Sequence, residues 1–398
     1  MKRFLYRTYQ FIMKVTGRLI TWKNATLIEG ENSVLQIPEL IKKYGLSRVL
    51  LVTDKTITSL GLTKPLLQEL PKVGITCTVF DETVPNPTIQ NIEDALKIYK
   101  QKNCQAIIAF GGGSSMDCAK GVAARVARPH RTIPQLRGLL KVLKPVPLVI
   151  AVPTTAGTGS ETTVAAVISN PQTHEKYSVS DPFLVPKYAI LDPLLTVGLP
   201  PNITSTTGID ALTHAVEAFI GKSNTNETRW TAREAVKLIF ENLHKAYKNG
   251  QDIDARRNML KASYYAGIAF TKAYVGYVHA IAHTLGGYYR IPHGLANAVI
   301  LPYVLDYYGS SAYKPLAELA DVIGIGKPGD DMEIKAKKFI AAIRDLESSM
   351  AIPNKVEGIR DEDLPGMIHN ALIEANPLYP VPKILFADDL RQLYNMIR

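Results

Sequence analysis

The hydrophobic pattern of this 398-residue sequence changes near residue 200, and this change constrains the fold more than any other feature. Before it, short apolar runs alternate with amphipathic helical stretches. We interpret four of these runs as strands, at 47–53, 76–80, 106–110 and 148–152. Strands that alternate with helices favour a parallel sheet covered by helices on both faces, and such a sheet binds ligands at the carboxyl ends of its strands.

After the segment Gly198–Pro201 the strand-like runs disappear, and apolar residues recur with the 3.6-residue period of an amphipathic helix. The helices predicted from this period are 208–220, 229–248, 256–270, 276–285, 313–322 and 332–346. The sequence therefore predicts an α/β domain with a parallel sheet over residues 24–200, followed by an all-α domain over residues 201–398. Residues 1–23 form a separate N-terminal helix in this prediction.

The N-terminal segment is basic and amphipathic. Residues 1–22 hold five Lys or Arg residues and no acidic residue, and so supply half of the net charge of +10. On a helical wheel Arg3, Arg7, Lys14 and Arg18 lie on one side, opposite Phe4, Leu5, Ile12, Val15 and Leu19. Two interpretations remain open. The helix lies on an anionic bilayer, at the inner face of the membrane, or it packs on its own body or a second subunit.

Composition excludes several other classes of protein. No apolar run approaches the roughly 18–20 uncharged residues of a membrane span, and Lys14 and Arg18 interrupt any signal peptide. A nucleic-acid partner would be indicated by a compact run of Lys and Arg interleaved with aromatic residues, and the body of the chain has no such run. The three cysteines are too few for a disulfide framework, so we expect core thiols in a reducing, cytoplasmic compartment.

Three glycines, Gly111 to Gly113, lie where the strand at 106–110 ends and a helix begins. Glycine lets the backbone approach a phosphate closely, and the free N–H groups of a helix start face the anion. Met116 stands where the dinucleotide fingerprint has its third glycine, and the Gly-Lys-Ser/Thr ending of a Walker loop is missing. The loop is therefore either a phosphate-binding site or only a tight turn.

A second loop, Pro153–Glu161, follows the strand at 148–152 and is expected at the same edge of the sheet. Its threonines and glycines suit a nicotinamide ribose or phosphate, although a Thr-rich turn that caps the next helix has the same composition. Asp54 ends the first strand, where its carboxylate can hydrogen-bond the adenosine ribose hydroxyls and repel a 2′-phosphate. This arrangement favours NAD over NADP.

Four of the eight histidines fall into two motifs. Asp210 and His214 are four residues apart, which places them on one face of a helix, and His279 and His283 repeat that spacing. His293 follows shortly after. Three imidazoles and one carboxylate suit a borderline divalent ion such as Fe(II) or Zn(II), although a single histidine is more often structural. The remaining histidines are interpreted as isolated surface or core residues: His130, His174, His244 and His369.

Together these motifs resemble the iron-containing (group III) alcohol dehydrogenase family, within the dehydroquinate-synthase-like fold. The resemblance extends from about residue 24 to at least residue 308. It rests on Val84–Thr88, Gly111–Asp117, Pro153–Glu161, Gly208–Glu217 and Gly276–Ala298. It implies an N-terminal NAD-binding domain, a helical metal-binding catalytic domain, and an active site in the cleft between them. The activity implied is NAD(H)-linked oxidation of small alcohols or reduction of aldehydes.

The resemblance also assigns residues. The implied metal ligands are Asp210, His214, His279 and His293, with Fe(II) favoured and Zn(II) as the alternative. His283 matches a non-ligating histidine near nicotinamide and substrate, and is the implied catalytic residue. The positions implied to contact the cofactor are Asp54, Asn86, Gly112, Gly113, Ser114, Asp117, Thr154, Thr155, Thr158 and Lys176.

Lewis-acid catalysis follows from this assignment. In this hypothesis a bound ion would lower the pKa of the alcohol oxygen, NAD would accept the hydride of the carbinol carbon at C4, and His283 would pass the proton to solvent. Some pocket positions depart from the family: Lys272 and Tyr274 replace Asn and Gly, and Ala165 and Ala166 replace a more polar pair of lactaldehyde reductases. Propanediol specificity is therefore not implied.

Rival functions remain open. A Zn-dependent polyol dehydrogenase or a hydroxyacid-oxoacid transhydrogenase would use the same scaffold, and a membrane-docked scaffold would retain the fold without activity. We expect a homodimer or larger homo-oligomer that binds a small alcohol or aldehyde, without a nucleic-acid partner.

Overall fold

The computed structural model describes residues 1–17, 23–171 and 175–398. Arg18, Leu19 and Trp22 of the predicted N-terminal helix, and the isolated His174, lie outside the described residues. The chain divides into two compact units. One is Thr21–Gly198, and the other combines Met1–Ile20 with Leu199–Arg398. The N-terminal helix α1 (Lys2–Gly17) thus belongs with the C-terminal half of the sequence.

The unit Thr21–Gly198 contains the strands. They are β1 (Thr26–Glu29), β2 (Arg48–Val52), β3 (Thr76–Phe80), β4 (Ala106–Gly111), β5 (Gly138–Leu139), β6 (Leu148–Pro153), β7 (Ala165–Asn170), β8 (Glu175–Ser180) and β9 (Tyr188–Leu191). Its helices are α2 (Ile37–Lys42), α3 (Lys55–Ser59), α4 (Lys64–Glu69), α5 (Ile89–Gln101), α6 (Gly113–Ala127) and α7 (Ile133–Leu136).

Six strands form one parallel sheet in the order β1-β9-β6-β4-β2-β3. Successive side chains of a strand point to opposite faces. Leu50 and its neighbour Ile107 therefore join one hydrophobic core, while Val49 and Ile108 join the other. A sheet buried on both faces explains why its strands are continuous apolar runs in the sequence. The predicted parallel sheet of an α/β domain is confirmed.

A second, three-stranded sheet was not predicted. It has the order β5-β8-β7, with β7 and β8 antiparallel and β5 parallel to β8. These strands carry polar residues such as Ser169 and Lys176 among their apolar ones, so they lack the continuous apolar run that identified the others. The sheet matters for the site because Lys176 is one of the predicted cofactor contacts.

The described part of the C-terminal region is helical, which confirms the predicted all-α character. Its helices are α8 (Pro201–Ile220), α9 (Asn226–Lys248), α10 (Ile253–Ala273), α11 (Tyr277–Tyr289), α12 (His293–Tyr308), α13 (Tyr313–Val322), α14 (Met332–Ser349), α15 (Leu364–Ala375) and α16 (Ala387–Ile397). The sequence analysis did not predict α12, α15 or α16. Helix α12 contains Pro302 and is buried along most of its length, so the one-sided apolar stripe that identifies an amphipathic helix is absent from it.

Helix α1 packs on its own unit, and it does so with its basic side. Arg7 donates to the backbone oxygens of Val381 and Pro382, and Lys14 donates to that of Lys222. The apolar side is turned outward: Phe4 is 75% exposed and Phe11 is 67% exposed. The contacts of the basic side thus agree with one of the two interpretations, in which the helix packs on its own body. Within the described ranges, no helix is long and apolar enough to cross a bilayer.

Candidate metal centre and cofactor-binding loops

Three helices of the C-terminal region bring the predicted metal ligands together. Helix α8 carries Asp210 and His214 one turn apart on the same face, and α11 carries His279 in its first turn. His293 is the first residue of α12, just after Pro292. Asp210, His214 and His279 are buried, and His293 is partly exposed. The i, i+4 spacing explains why Asp210 and His214 lie together, whereas the packing of the helices brings His279 and His293 to this pair.

The ligand atoms of Asp210, His214, His279 and His293 all lie within 4.8 Å of one another. Oδ1 of Asp210 is 3.8 Å from Nε2 of His279 and 3.6 Å from Nε2 of His293. Ligands bound tetrahedrally at about 2.1 Å from an ion lie about 3.4 Å apart, so a small closure of this cluster completes the geometry. A carboxylate buried among imidazoles is costly unless a cation neutralises it. The donor set therefore fits a divalent metal.

Glu217 supports this cluster from behind. Its Oε2 lies 2.6 Å from Nδ1 of His279, and its carboxylate also accepts the backbone N–H groups of Gly276 and Val278 at 2.8 Å. Burial raises the pKa of Glu217, whereas these hydrogen bonds favour its ionised form, and a cation held by His279 would favour that form further. A carboxylate that accepts from Nδ1 fixes the imidazole tautomer in which Nε2 carries the lone pair that a metal binds.

Asn297 contacts the same ligands from α12. Its Nδ2 donates to Oδ1 of Asp210 at 2.6 Å and lies 3.2 Å from Nε2 of both His279 and His293. The side chain is fully buried. It thus orients the carboxylate toward the point where the imidazoles converge.

His283 stands beside the four-ligand cluster and has its own partners. Its ring stacks on that of His293, with centroids 5.1 Å apart. Its Nδ1 lies 2.7 Å from Oε1 of Glu374, which also accepts the hydroxyl of Tyr379 at 2.8 Å. Burial raises the pKa of Glu374, but His283 and the Tyr379 hydrogen bond outweigh it and lower the pKa below its ordinary value. A charged carboxylate therefore orients the His283 ring.

Four residues of this site were not predicted from the sequence: Glu217, Asn297, Glu374 and Tyr379. Spacing could have identified two of them. Glu217 follows Asp210 and His214 on one face of α8, and Asn297 is one turn after His293 on α12. No local signal connects Glu374 or Tyr379 with His283, because they belong to distant parts of the chain.

In the other unit, the predicted phosphate loop joins β4 to α6. Gly111 has φ of +145°, a backbone conformation that favours glycine, and Gly112 is the N-cap residue of α6. No side chain caps this described helix end, so its first N–H groups are available to an anion. A Cβ at Gly113 would lie 2.8 Å from Cγ2 of Thr158. The two predicted loops are therefore neighbours, and both Thr155 and Thr158 are partly exposed there.

Asp54 and Asn86 lie at the same edge of the sheet. Oδ1 of Asp54 caps α3 by accepting the N–H groups of Thr56 and Ile57. Its Oδ2 is 3.4 Å from Oγ of Ser115, in the first turn of α6. The N–H of Asn86 donates to Oγ of Ser114, and Lys176 donates to Oδ1 of Asn86 at 3.0 Å. These predicted cofactor residues thus surround the start of α6.

Two predicted cofactor residues have internal roles. Oδ1 of Asp117 accepts the hydroxyl of Ser160 at 2.8 Å, and Oδ2 accepts the N–H of Val167 at 3.1 Å. Thr154 is buried, and its N–H donates to the oxygen of Gly111. Both residues therefore hold the shape of the two loops. Of the remaining histidines, His130 and His369 are exposed and His244 is partly buried.

Two sequence models of known protein families match the chain. Residues 24–193 match the sequence model of a family described as iron-containing alcohol dehydrogenase. Residues 204–397 match the model of the C-terminal part of the Fe-containing alcohol dehydrogenase family.

Individual relatives cover nearly the whole chain. A 1,3-propanediol dehydrogenase of Klebsiella pneumoniae is 39% identical over 352 residues, which is 87% of this chain and 90% of the relative. An NAD-dependent methanol dehydrogenase of Bacillus methanolicus is 35% identical over 366 residues, 92% of this chain and 96% of the relative. The crystal structure of a 1,3-propanediol oxidoreductase superposes with a TM-score of 0.91 at 35% identity, covering 95% of this chain and all of that one.

Proposed function

The chain belongs to the iron-containing alcohol dehydrogenase family, and from this premise we propose that it interconverts small alcohols and aldehydes with NAD(H) and one divalent ion. The observation that carries the proposal is the cluster of Asp210, His214, His279 and His293. These four side chains are the proposed metal ligands.

A bound divalent ion supplies Lewis-acid polarisation of the substrate oxygen, and NADH supplies the hydride. The chain's own residues orient these groups. Glu217 and Asn297 hold His279 and Asp210 in the geometry described above. Reduction of an aldehyde also consumes one proton, and His283, oriented by Glu374, is the proposed group that passes it from solvent.

The loops at the start of α6 are the proposed NAD site. The N–H groups of Gly113 and Ser114 suit the pyrophosphate, because they are at a helix start that no side chain caps. Asp54 faces this point with Oδ2 and suits the adenosine ribose, which favours NAD over NADP. Asn86, Gly112, Thr155, Thr158 and Lys176 complete the proposed contacts. We propose that Asp117 and Thr154 act indirectly, by holding the loops.

Three nitrogen ligands and one oxygen ligand suit either Fe(II) or Zn(II), and the family favours iron. We propose that Phe270, whose ring stacks on that of His214 with centroids 4.1 Å apart, lines the substrate side. Lys272, which departs from the family pattern, forms an ion pair with Glu227 at 2.8 Å, so its ammonium group does not serve as a substrate contact in this proposal. An apolar wall suits a small, uncharged alcohol.

Protein prepared anaerobically and loaded with Fe(II) or Zn(II) tests this proposal with a panel of aldehydes and either NADH or NADPH. We expect about one ion per chain, metal-dependent NADH oxidation, and loss of both on chelation. Turnover only with an oxoacid acceptor and permanently bound NAD would indicate a transhydrogenase. Failure of the metal-loaded protein to bind NADH would indicate a non-enzymatic scaffold.

We also propose a peripheral contact between α1 and the anionic inner face of a membrane, with the enzyme in the cytoplasm. The apolar residues Phe4, Leu5, Phe11 and Ile12 are each more than half exposed and form one side of the helix. The basic residues Lys2 and Arg3 at the start of the helix are exposed, so their charges can attract anionic lipid. Free thiols at Cys77, Cys104 and Cys118 suit a reducing compartment. Sedimentation with lipid vesicles tests this contact.

A further inference from the structure

Helix α1 makes specific hydrogen bonds with one short segment of its unit, Pro377–Pro382. Nε2 of Gln10 donates to the backbone oxygens of Pro377 at 3.0 Å and Tyr379 at 2.7 Å. The two guanidinium nitrogens Nη1 and Nη2 of Arg7 donate to Val381 at 2.7 Å and Pro382 at 2.8 Å. Gln10 is the one buried side chain of α1. Four backbone oxygens of this segment are therefore held by two side chains of the N-terminal helix.

The same segment carries Tyr379, which reaches toward the catalytic region. The hydroxyl of Tyr379 donates to Oε1 of Glu374 at 2.8 Å, and that oxygen lies 2.7 Å from Nδ1 of His283. Tyr379 is largely buried, so its ring position follows the position of its backbone. A continuous chain of hydrogen bonds thus runs from Gln10 through Tyr379 and Glu374 to His283.

A second contact of α1 converges on the same segment. Lys14 donates to the backbone oxygen of Lys222 at 2.7 Å, and the N–H of Lys222 donates to the oxygen of Pro380 at 2.6 Å. Burial, and to a smaller extent Tyr9 of α1, raises the pKa of Tyr274. Tyr274 has φ of +67°, which is costly for a tyrosine, and it leads into the loop before α11, the helix of His279 and His283.

We propose that α1, through Gln10 and Arg7, is a positioning element for His283. The helix fixes the segment Pro377–Pro382, this segment places Tyr379, and Tyr379 with Glu374 sets the orientation of the His283 ring. The proposal rests on the proposed function, because it assigns His283 to proton transfer. It gives the N-terminal helix, which precedes the matched family region at residue 24, a role in the reaction itself.

The size of the effect follows from the hydrogen bonds involved. One hydrogen bond typically contributes a net free energy that, if it is lost from the transition state, lowers the rate by about 2- to 12-fold. Gln10→Ala and Arg7→Ala should each lower kcat for aldehyde reduction within that range. Metal content and the KM for NADH should stay unchanged, because neither residue contacts the proposed ligands or the nucleotide loops. Tyr379→Phe, which removes the hydroxyl, should lower kcat in the same way.

Thr8→Ala is the matched control. Thr8 is exposed on the same helix, and its hydroxyl donates to the backbone oxygen of Phe4 within that helix. The decisive comparison repeats Gln10→Ala in a His283→Ala background, where the proposal predicts no further loss of kcat. An equal loss in both backgrounds, or no loss in the wild-type background, would overturn it.

Hydrogen–deuterium exchange tests the first step without any turnover. Peptides covering residues 377–386 should exchange faster in Gln10→Ala and Arg7→Ala than in Thr8→Ala. Unchanged exchange would overturn the proposal. An unmodified protein that reduces no aldehyde would instead overturn the proposed function, together with the part of this inference that concerns catalysis. The two failures are therefore distinguishable.

Discussion

Nδ1 of His279 lies 2.6 Å from Oε2 of Glu217, which follows Asp210 by two turns on the same helix. The carboxylate thereby links α8 and α11, two of the three helices that carry the proposed metal ligands. Because Glu217 also accepts two backbone N–H groups at the start of α11, it fixes both the ring of His279 and the helix that carries it.

Glu217→Gln should weaken metal binding by about 10- to 100-fold, which is typical of a lost partner behind a ligating histidine. The amide cannot accept all three donors as a carboxylate does. Competition with a chromophoric chelator measures the affinity. Glu347→Gln is the control, since Glu347 is also a buried carboxyl but lies outside the ligand cluster. Equal affinities in the wild type and Glu217→Gln would contradict this role.

The ligand set itself makes a sharper prediction. His279→Ala or Asp210→Ala should abolish metal binding and activity together, because the three remaining ligands hold the ion poorly. His283→Ala should retain the metal and lower kcat, since its ring lies outside the four-ligand cluster. Metal analysis beside an aldehyde-reduction assay separates the two effects. Loss of metal from His283→Ala would show that the ligand set is wrong.

Cofactor preference depends on the charge of Asp54. Asp54→Asn should raise the NADP/NAD ratio of kcat/KM, because a carboxylate within about 4 Å of a 2′-phosphate costs roughly 1–4 kcal/mol. Asparagine can still cap α3, whereas Asp54→Gly also removes the two cap hydrogen bonds, at a cost of roughly a few tenths of a kcal/mol of stability. Comparing the two variants separates charge from capping. An unchanged ratio in both would show that Asp54 does not face the ribose.

The stability of the folded protein should depend on pH because the carboxyl group of Glu347 is buried. Burial raises the pKa of its carboxyl to about 8, and Arg344 only partly opposes this shift. The folded state therefore retains a proton that the unfolded chain loses near its ordinary pKa of about 4.3. The stabilisation is complete below that value and is lost as the pH rises through 8.

Glu347→Gln should remove this dependence, and the measurement is thermal unfolding at pH 5 and pH 8.5. We expect the variant to gain about 2 °C or more relative to the wild type at the higher pH, and little at the lower one. A constant difference between the two proteins would mean that Glu347 is ionised throughout.

The outward apolar side of α1 predicts lipid binding. The protein should sediment with vesicles that contain anionic lipid, and not with neutral ones, in a salt-sensitive manner. Each basic residue near such a surface contributes about 1 kcal/mol, and the exposed apolar side chains add to it. Phe4→Ser with Phe11→Ser should abolish binding and retain aldehyde reduction. Intact protein that ignores anionic vesicles at low salt would exclude the contact. Loss of an oligomer in the double variant would then indicate a surface between subunits.

Much of the fold was predictable because backbone geometry imposes fixed periods on the sequence. Strands buried on both faces require continuous apolar runs, so β2, β4 and β6 were identified, and the i, i+4 spacing placed Asp210 beside His214. The hairpin of β7 and β8 and the buried helix α12 were missed, since their patterns have no single apolar face. The partners Glu374 and Tyr379 were missed because they contact His283 from far along the chain.

Helix α1 shows most clearly what the sequence alone leaves undetermined. Its periodicity determined that one side is basic and the other apolar, since a helix fixes the angle between side chains. Periodicity does not determine which side faces the protein. That depends on the backbone oxygens of Val381 and Pro382, which bond with Arg7 across more than 370 positions of sequence. Only the tertiary structure brings these acceptors to the helix, where they bind the basic side and leave the apolar side outward.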